Sequence, residues 1–225
     1  MRIYKDFKEA LNEIKRDLAE MGILVHPHTY QDKWVADNPD FDTLELQNYI
    51  YVVLNPRPED LEPTQPWADK EFDERISGIP HNPGKAWAER AEVWKEFLEA
   101  DGKFSYTYSE RMWYQLNKLI REAKDNPDSR QLYLSIWNPK LDIFNIGGWR
   151  RVPCSLGYLF QIREEQVNMT YLMRSCDFVT HMVNDIYLAT KLLHYFASQV
   201  GKPVGRFTHY IGSLHIFQKD VKGVF

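Results

Sequence analysis

The residues best able to do chemistry stand close together in the stretch Arg151 to Asp185, RVPCSLGYLFQIREEQVNMTYLMRSCDFVTHMVND. Cys154 follows a proline at the head of one apolar run, and Arg174-Ser175-Cys176-Asp177 ends the next. The two runs, Leu156 to Ile162 and Val167 to Met173, flank the polar turn Arg163-Glu164-Glu165-Gln166, which is the pattern of a β-hairpin. Folded so, Cys154 and Arg174 return to the same end. A thiol near a guanidinium is a sensible nucleophile, because a free thiol titrates near about 8.5 and positive charge favours the thiolate. A cysteine taken alone is more often a small buried hydrophobe, so the weight rests on its neighbours.

Those neighbours resemble the thymidylate synthase superfamily. Pro153-Cys154 resembles its nucleophile motif, Arg174-Ser175-Cys176-Asp177 its Arg-Ser-Cys-Asp block, and Gly212-Ser213-Leu214-His215 the strand that ends its site. Upstream, Asn126-Pro127-Asp128-Ser129-Arg130, followed by Ser135-Ile136-Trp137-Asn138, resembles the family's arginine-bearing loop and strand. The similarity runs from Asn126 to Phe217. It implies an α+β, thymidylate synthase-like fold, a mixed β-sheet packed by helices, forming a homodimer through the sheet face.

The resemblance also implies a site. Cys154 would add to C6 of a pyrimidine nucleotide, and C5 would then take the one-carbon unit of methylenetetrahydrofolate, the co-substrate. Arg174 and Ser175 would hold the phosphate, Asp177 the pterin, and His215 the 3′-hydroxyl of the sugar. The family partner of that histidine is a tyrosine two residues on, where this chain has Phe217, so deoxyribose and ribose both remain open. Arg130 matches an arginine that reaches into the partner subunit's site. Relatives commonly carry two adjacent arginines there, whereas this chain has Arg130-Gln131. The missing cation should weaken phosphate binding unless Arg150, Arg151 or a basic residue near the N-terminus substitutes. Trp87 becomes a folate-facing residue, and Tyr106, chosen over Tyr108, helps with proton removal near C5. Helix carboxylates such as Glu71 and Glu74 are ordinarily solvated, but the family uses a helix glutamate in this region as general acid and base, and the resemblance of the fragment WADKEFDERIS implies that role for Glu71.

Asp185 decides the base. Thymidylate synthases place an asparagine there, whose amide suits uracil. A carboxylate accepts from the amino group of cytosine and stabilises the ring once its nitrogen is protonated. The competing role is a helix cap, since Asp is among the best N-caps and Asn184-Asp185 precedes a helical pattern. Met173, Ser155 and Val183-Asn184-Asp185 resemble the phage deoxycytidylate hydroxymethylases. Eight residues follow Phe217, fewer than the segment that closes over the folate in thymidylate synthases, which favours addition of water over hydride transfer. The reading is conversion of dCMP to 5-hydroxymethyl-dCMP. A methylase of dCMP or dUMP, a CMP hydroxymethylase and a non-catalytic nucleotide-binding relative are the alternatives.

The elements must bring these residues together. With 225 residues and 44% hydrophobic composition the chain has enough apolar material for one catalytic domain, 1–225. A net charge of −4 gives no general attraction to nucleic acid, so an anionic ligand needs local cations. Two cysteines, no signal-like start and no membrane-length apolar run fit a cytoplasmic protein, in the host cytoplasm if phage-encoded. No metal site is expected. Phe7, Leu11, Ile14 and Leu18 lie at helical spacing within Asp6 to Glu20, with Gly22 as a stop. Leu44 to Leu54 reads as a strand and Arg57 to Pro66 as a loop. Helices are expected at Trp67 to Ser77, Lys85 to Glu99, Glu110 to Lys124 and Ile186 to Val200, with further strands at QLYLSIWN and Arg206 to Phe217.

Overall fold

In the computed structural model, which describes residues 1–30, 33–147 and 150–225, the chain opens with strand β1 (Arg2–Tyr4) and helix α1 (Phe7–Met21). Phe7, Ile14 and Leu18 are buried along one stripe of α1, and the Asp6 side chain caps it by accepting from the Glu9 amide at 3.0 Å. The helix ends at Gly22, whose backbone turns extended while its amide still bonds the Leu18 carbonyl, and a Cβ there would lie only 2.4 Å from that oxygen. Next come β2 (Ile23–Val25), the antiparallel pair β3 (Thr29–Tyr30) and β4 (Lys33–Trp34), and the long strand β5 (Thr43–Val53). The middle of the chain holds α2 (Trp67–Ile76), α3 (Ala91–Trp94), α4 (Tyr108–Met112), α5 (Leu116–Asp125), β6 (Tyr133–Ser135) and α6 (Pro139–Asp142). Strands β7 (Ser155–Arg163) and β8 (Gln166–Asp177), helix α7 (Met182–Val200), strand β9 (Val204–Phe217) and helix α8 (Gln218–Val224) complete it.

Seven strands form one mixed sheet in the order β1-β5-β9-β8-β7-β6, with β2 also on β5. The pairs β1/β5 and β8/β9 are parallel and the others antiparallel, giving the expected α+β class. The predicted hairpin is β7 and β8. Its turn is tighter than the polar run promised, since Arg163 pairs with Gln166 and only Glu164 and Glu165, at φ 52° and 59°, remain outside the ladder. Two successive left-handed residues are what a two-residue hairpin matched to strand twist requires. Alternate residues of β7, β8 and β9, among them Phe160, Tyr171 and Phe207, are buried on the face covered by α7, where Phe160 stacks on Phe196 at 4.1 Å. Leu159, Leu172 and Tyr210 alternate with them and are half-buried on the other face.

Three expectations are corrected. Lys85 to Glu99 is not one helix but a 3-10 turn (Ala86–Arg90), α3 and a second 3-10 turn (Lys95–Phe97). Its inward residues answer to different partners: Trp87 meets Phe104 edge-on, Trp94 stacks on Trp67, and buried Arg90 donates to the Thr180 carbonyl. Tertiary contacts override the helical period there. Glu110 to Lys124 is split into α4 and α5 by a turn at 113–115, where Gln115 donates to the Arg111 and Ser135 carbonyls and so ties the break to β6. The strand after Arg130 is confined to Tyr133–Ser135. The loop between Arg57 and Pro66, for which no role was legible, anchors α7: the Thr64 amide donates to Asn184 Oδ1 at 2.8 Å.

Candidate active site

The C-terminal ends of β8 and β9, the first turn of α7, helix α2 and the segment around Tyr106 enclose a cavity of about 510 Å³. That is the size range of small-molecule sites. Cys154, Glu71, Tyr106, Asp185, Arg174, Ser175, His215, Asp177 and Trp87 all line it. Of the expected site residues, Arg130 stands apart: it is exposed and does not line the cavity of its own chain.

The hairpin register explains why Cys154 meets Arg174. The Arg174 amide donates to the Cys154 carbonyl at 2.9 Å, and its guanidinium is anchored on the Pro153 and Val152 carbonyls at 2.9 and 3.2 Å. This leaves Nη2 at 3.8 Å from the Cys154 sulfur. The electrostatic outcome differs from the expectation of a favoured thiolate. Burial pushes the Cys154 thiol above its ordinary value, with Asp185 and Asp177 adding to the rise and Arg174 and Arg151 opposing it. Desolvation of the charged form outweighs the two cations.

Asp185 is not the helix cap. α7 begins three residues earlier, and the Asp185 amide is already spent on the His181 carbonyl at 2.9 Å. Its carboxyl faces the cavity and makes no side-chain hydrogen bond among the described residues. Burial raises its pKa from 3.8 to about 7, against the pull of Arg75 and Arg90. Glu71 and Glu74, alike in sequence, separate here. Glu74 Oε1 accepts from the Lys85 and Ala86 amides, holding the next segment, while Glu71 accepts from Arg75 Nε at 2.9 Å. Burial raises the Glu71 pKa, with Arg75 opposing.

At the end of β8, Asp177 uses Oδ1 to accept from the Val179 and Thr180 amides at 2.9 and 3.1 Å. Its Oδ2 is buried without a partner among the described residues. A buried acceptor left unpaired costs about 1–3 kcal/mol, so a ligand donor is its natural complement. Trp87 and Trp94 line the same cavity.

Several residues were not legible in advance. Arg75 is a buried cation, its guanidinium 4.0 Å above the Tyr108 ring. The Glu71/Arg75 spacing was visible, but an i,i+4 pair on an exposed helix reads the same way. Tyr108 lines the cavity and bonds Ser155 Oγ at 2.9 Å, which in turn bonds the Tyr171 hydroxyl at 2.5 Å. Ser155 is therefore fully buried behind Tyr108. Arg150 and Arg151 both line the cavity, Arg150 paired with Glu99 at 3.3 Å and Arg151 lying 4.4 Å over Phe97. Tyr30 reaches the cavity from β3 and packs edge-on against Phe217. Among the described residues no group of three His, Cys, Asp or Glu could hold a metal ion, and no helix is long and apolar enough to cross a membrane.

Residues 76–225 match the sequence pattern of the thymidylate synthase family. A Methanosarcina barkeri protein named "Putative thymidylate synthase" is 29% identical over 225 residues, covering 92% of this chain and 99% of its own length. The thymidylate synthase of Clostridium beijerinckii is 26% identical over 140 residues, 61% of this chain and 51% of that one. Thermostable thymidylate synthase A from Bacillus subtilis superposes with a TM-score of 0.78 over 97% of this chain and 82% of that chain, at 18% identity, a likeness of fold.

Proposed function

The chain belongs to the thymidylate synthase family, and from that premise we propose that it adds a one-carbon unit to C5 of a cytidine monophosphate, dCMP in the first instance, and completes the reaction with water to give the 5-hydroxymethyl nucleotide. Methylenetetrahydrofolate is the family's co-substrate and supplies the methylene group, so the overall conversion consumes one water and releases tetrahydrofolate without oxidation or reduction.

The observation that carries this reading is the Asp185 carboxyl, facing the cavity with a pKa of about 7. A carboxyl poised near neutrality accepts from the cytosine amino group and shares a proton with the adjacent ring nitrogen. Cys154 forms the bond to C6, which places electron density on C5. Tyr106, only 7% exposed and close to Cys154, assists removal of the C5 proton. Glu71, with its raised pKa, delivers and removes protons and orients water. Arg174 and Ser175 hold the phosphate, and Arg151, on the cavity wall, stands in for the second family arginine. Asp177 Oδ2, without a partner among the described residues, fits the N–H donors of a pterin, and Trp87 offers its ring to the same ligand.

Residues 1–225 act as one catalytic domain, supported by a core that runs from Tyr4 to Ile216. Two chains pair through the half-buried sheet face, and Arg130, outside its own cavity, completes the phosphate site of the partner. A second reading, methylation of dCMP or dUMP, is favoured by the relatives described as thymidylate synthases.

Mass spectrometry of nucleotides after incubation with methylenetetrahydrofolate and equal amounts of dCMP, CMP and dUMP tests both. A gain of CH2O on dCMP is the expected result, and the same gain on CMP changes only the sugar. A gain of CH2 replaces hydroxymethylation by methylation. No change on any of the three would leave a nucleotide-binding relative.

A further inference from the structure

Strand β9 carries Ser213 and His215 into the cavity between two neighbours. Ser213 stands opposite Gln47 of β5 and Ser175 of β8, and His215 opposite Glu45 and Asp177. On the β5 side a polar chain forms. Gln47 Nε2 donates to Glu45 Oε1 at 3.2 Å, Ser213 Oγ donates to Glu45 Oε2 at 2.5 Å, and Ser213 Oγ lies 3.5 Å from His215 Nδ1. Glu45, Ser213 and His215 all line the cavity.

Each link in this chain has one allowed direction. A carboxylate accepts and has nothing to donate, so the hydroxyl hydrogen of Ser213 is committed to Glu45. Ser213 Oγ then turns only lone pairs towards the ring, and Nδ1 must carry the hydrogen in that contact. The opposite tautomer would set two lone pairs against each other. The ring is held edge-on to Phe217 at 5.2 Å, and burial lowers its pKa, which keeps it neutral with one donor and one acceptor.

We infer that Glu45 and Ser213 are positioning residues that fix His215 in its Nδ1–H tautomer, so that Nε2 accepts a hydrogen bond from the 3′-hydroxyl of the nucleotide sugar. The sugar contact rests on the cytidine-nucleotide reading, whereas the tautomer stands on the free protein alone. Nothing in the sequence pattern points to Glu45: it is one carboxylate on a strand, and only the register with β9 sets it against His215.

Long-range proton–nitrogen NMR correlation of the imidazole rings reads the tautomer without ligand, with His215→Asn identifying the signal. The Nδ1–H form is expected in the native protein, with a shift towards Nε2–H in Ser213→Ala and a mixture in Glu45→Gln, whose amide can donate as well as accept. An Nε2–H ring in the native protein overturns the inference. Calorimetry with dCMP and its 3′-fluoro-3′-deoxy analogue then tests the polarity at the sugar, because fluorine cannot donate. The native protein should bind dCMP about tenfold more tightly, the worth of one hydrogen bond, and Ser213→Ala should lose most of that preference while binding the fluoro analogue unchanged. Equal binding of the two nucleotides by the native protein overturns the assigned polarity. If neither binds while the Nδ1–H form is present, the nucleotide reading falls and the tautomer assignment is supported.

Discussion

Cys154 and Asp185 share an electrostatic problem. Each is pushed towards its neutral form by burial, and an ionised Asp185 raises the thiol further. Protonation of Asp185 against a cytosine ring therefore also eases formation of the thiolate. Cys154→Ala should bind nucleotide with native affinity while turnover falls to background; residual turnover, followed by mass spectrometry, would exclude the covalent route. Asp185→Asn should lower the ratio of dCMP to dUMP turnover by about tenfold or more, since it exchanges an acceptor for a group that also donates. The same residue predicts a stability profile. Its folded-state pKa, about 7, lies above the ordinary 3.8, so the folded protein holds a proton that the unfolded chain releases. That stabilisation is complete below about pH 4 and is lost as pH rises through about 7. His181 and His209, held below the usual histidine range by burial, act in the opposite sense in part of this window. The comparison is therefore with Asp185→Asn, in which their contribution is common: the urea midpoint of the native protein should fall more steeply with pH across this window than that of the variant.

At the scale of elements, the β7–β8 hairpin brings the nucleophile to its arginine, and its turn is built from two glutamates in the left-handed region. Only residues with short polar side chains or none adopt that conformation readily. Glu164→Asn should stabilise the protein by up to about 1 kcal/mol, a part of the roughly 1–2 kcal/mol that the left-handed conformation costs an ordinary residue, read from thermal unfolding, with no change in turnover. Behind the same hairpin, Ser155 sits between the hydroxyls of Tyr108 and Tyr171. Ser155→Ala leaves both phenols short of a partner in the interior and should cost about 1–3 kcal/mol in chemical denaturation. A loss near zero would mean that the two phenols find each other or water.

At the scale of the whole molecule, the position of Arg130 is the open term of the site. If it completes the partner's phosphate site, Arg130→Ala and Cys154→Ala are each inactive alone but complement when mixed. Random exchange of subunits leaves about one site in four with both residues intact, so about a quarter of native activity should return. Mixtures that stay inactive under conditions where subunits exchange would confine each site to one chain.

The hairpin, α1, β5, α2, α7 and the last strand were legible because hydrophobic period and turn residues are local properties. Motif order likewise placed Cys154, Arg174, Asp177 and His215 at strand ends that do converge on one cavity. Where local pattern and long-range contact disagreed, contact decided: the segment from Lys85 to Glu99 follows the cavity wall, and α7 starts early enough to turn Asp185 from a cap into a wall residue. Sequence could name the titrating groups but not their charge. Residue type sets which groups exist, whereas burial and distance to other charges set which form they hold, and both belong to the folded chain. The tie from Glu45 to the Ser213–His215 pair came from strand register alone, because Glu45 and Ser213 are 168 residues apart in the chain and 2.5 Å apart in the fold.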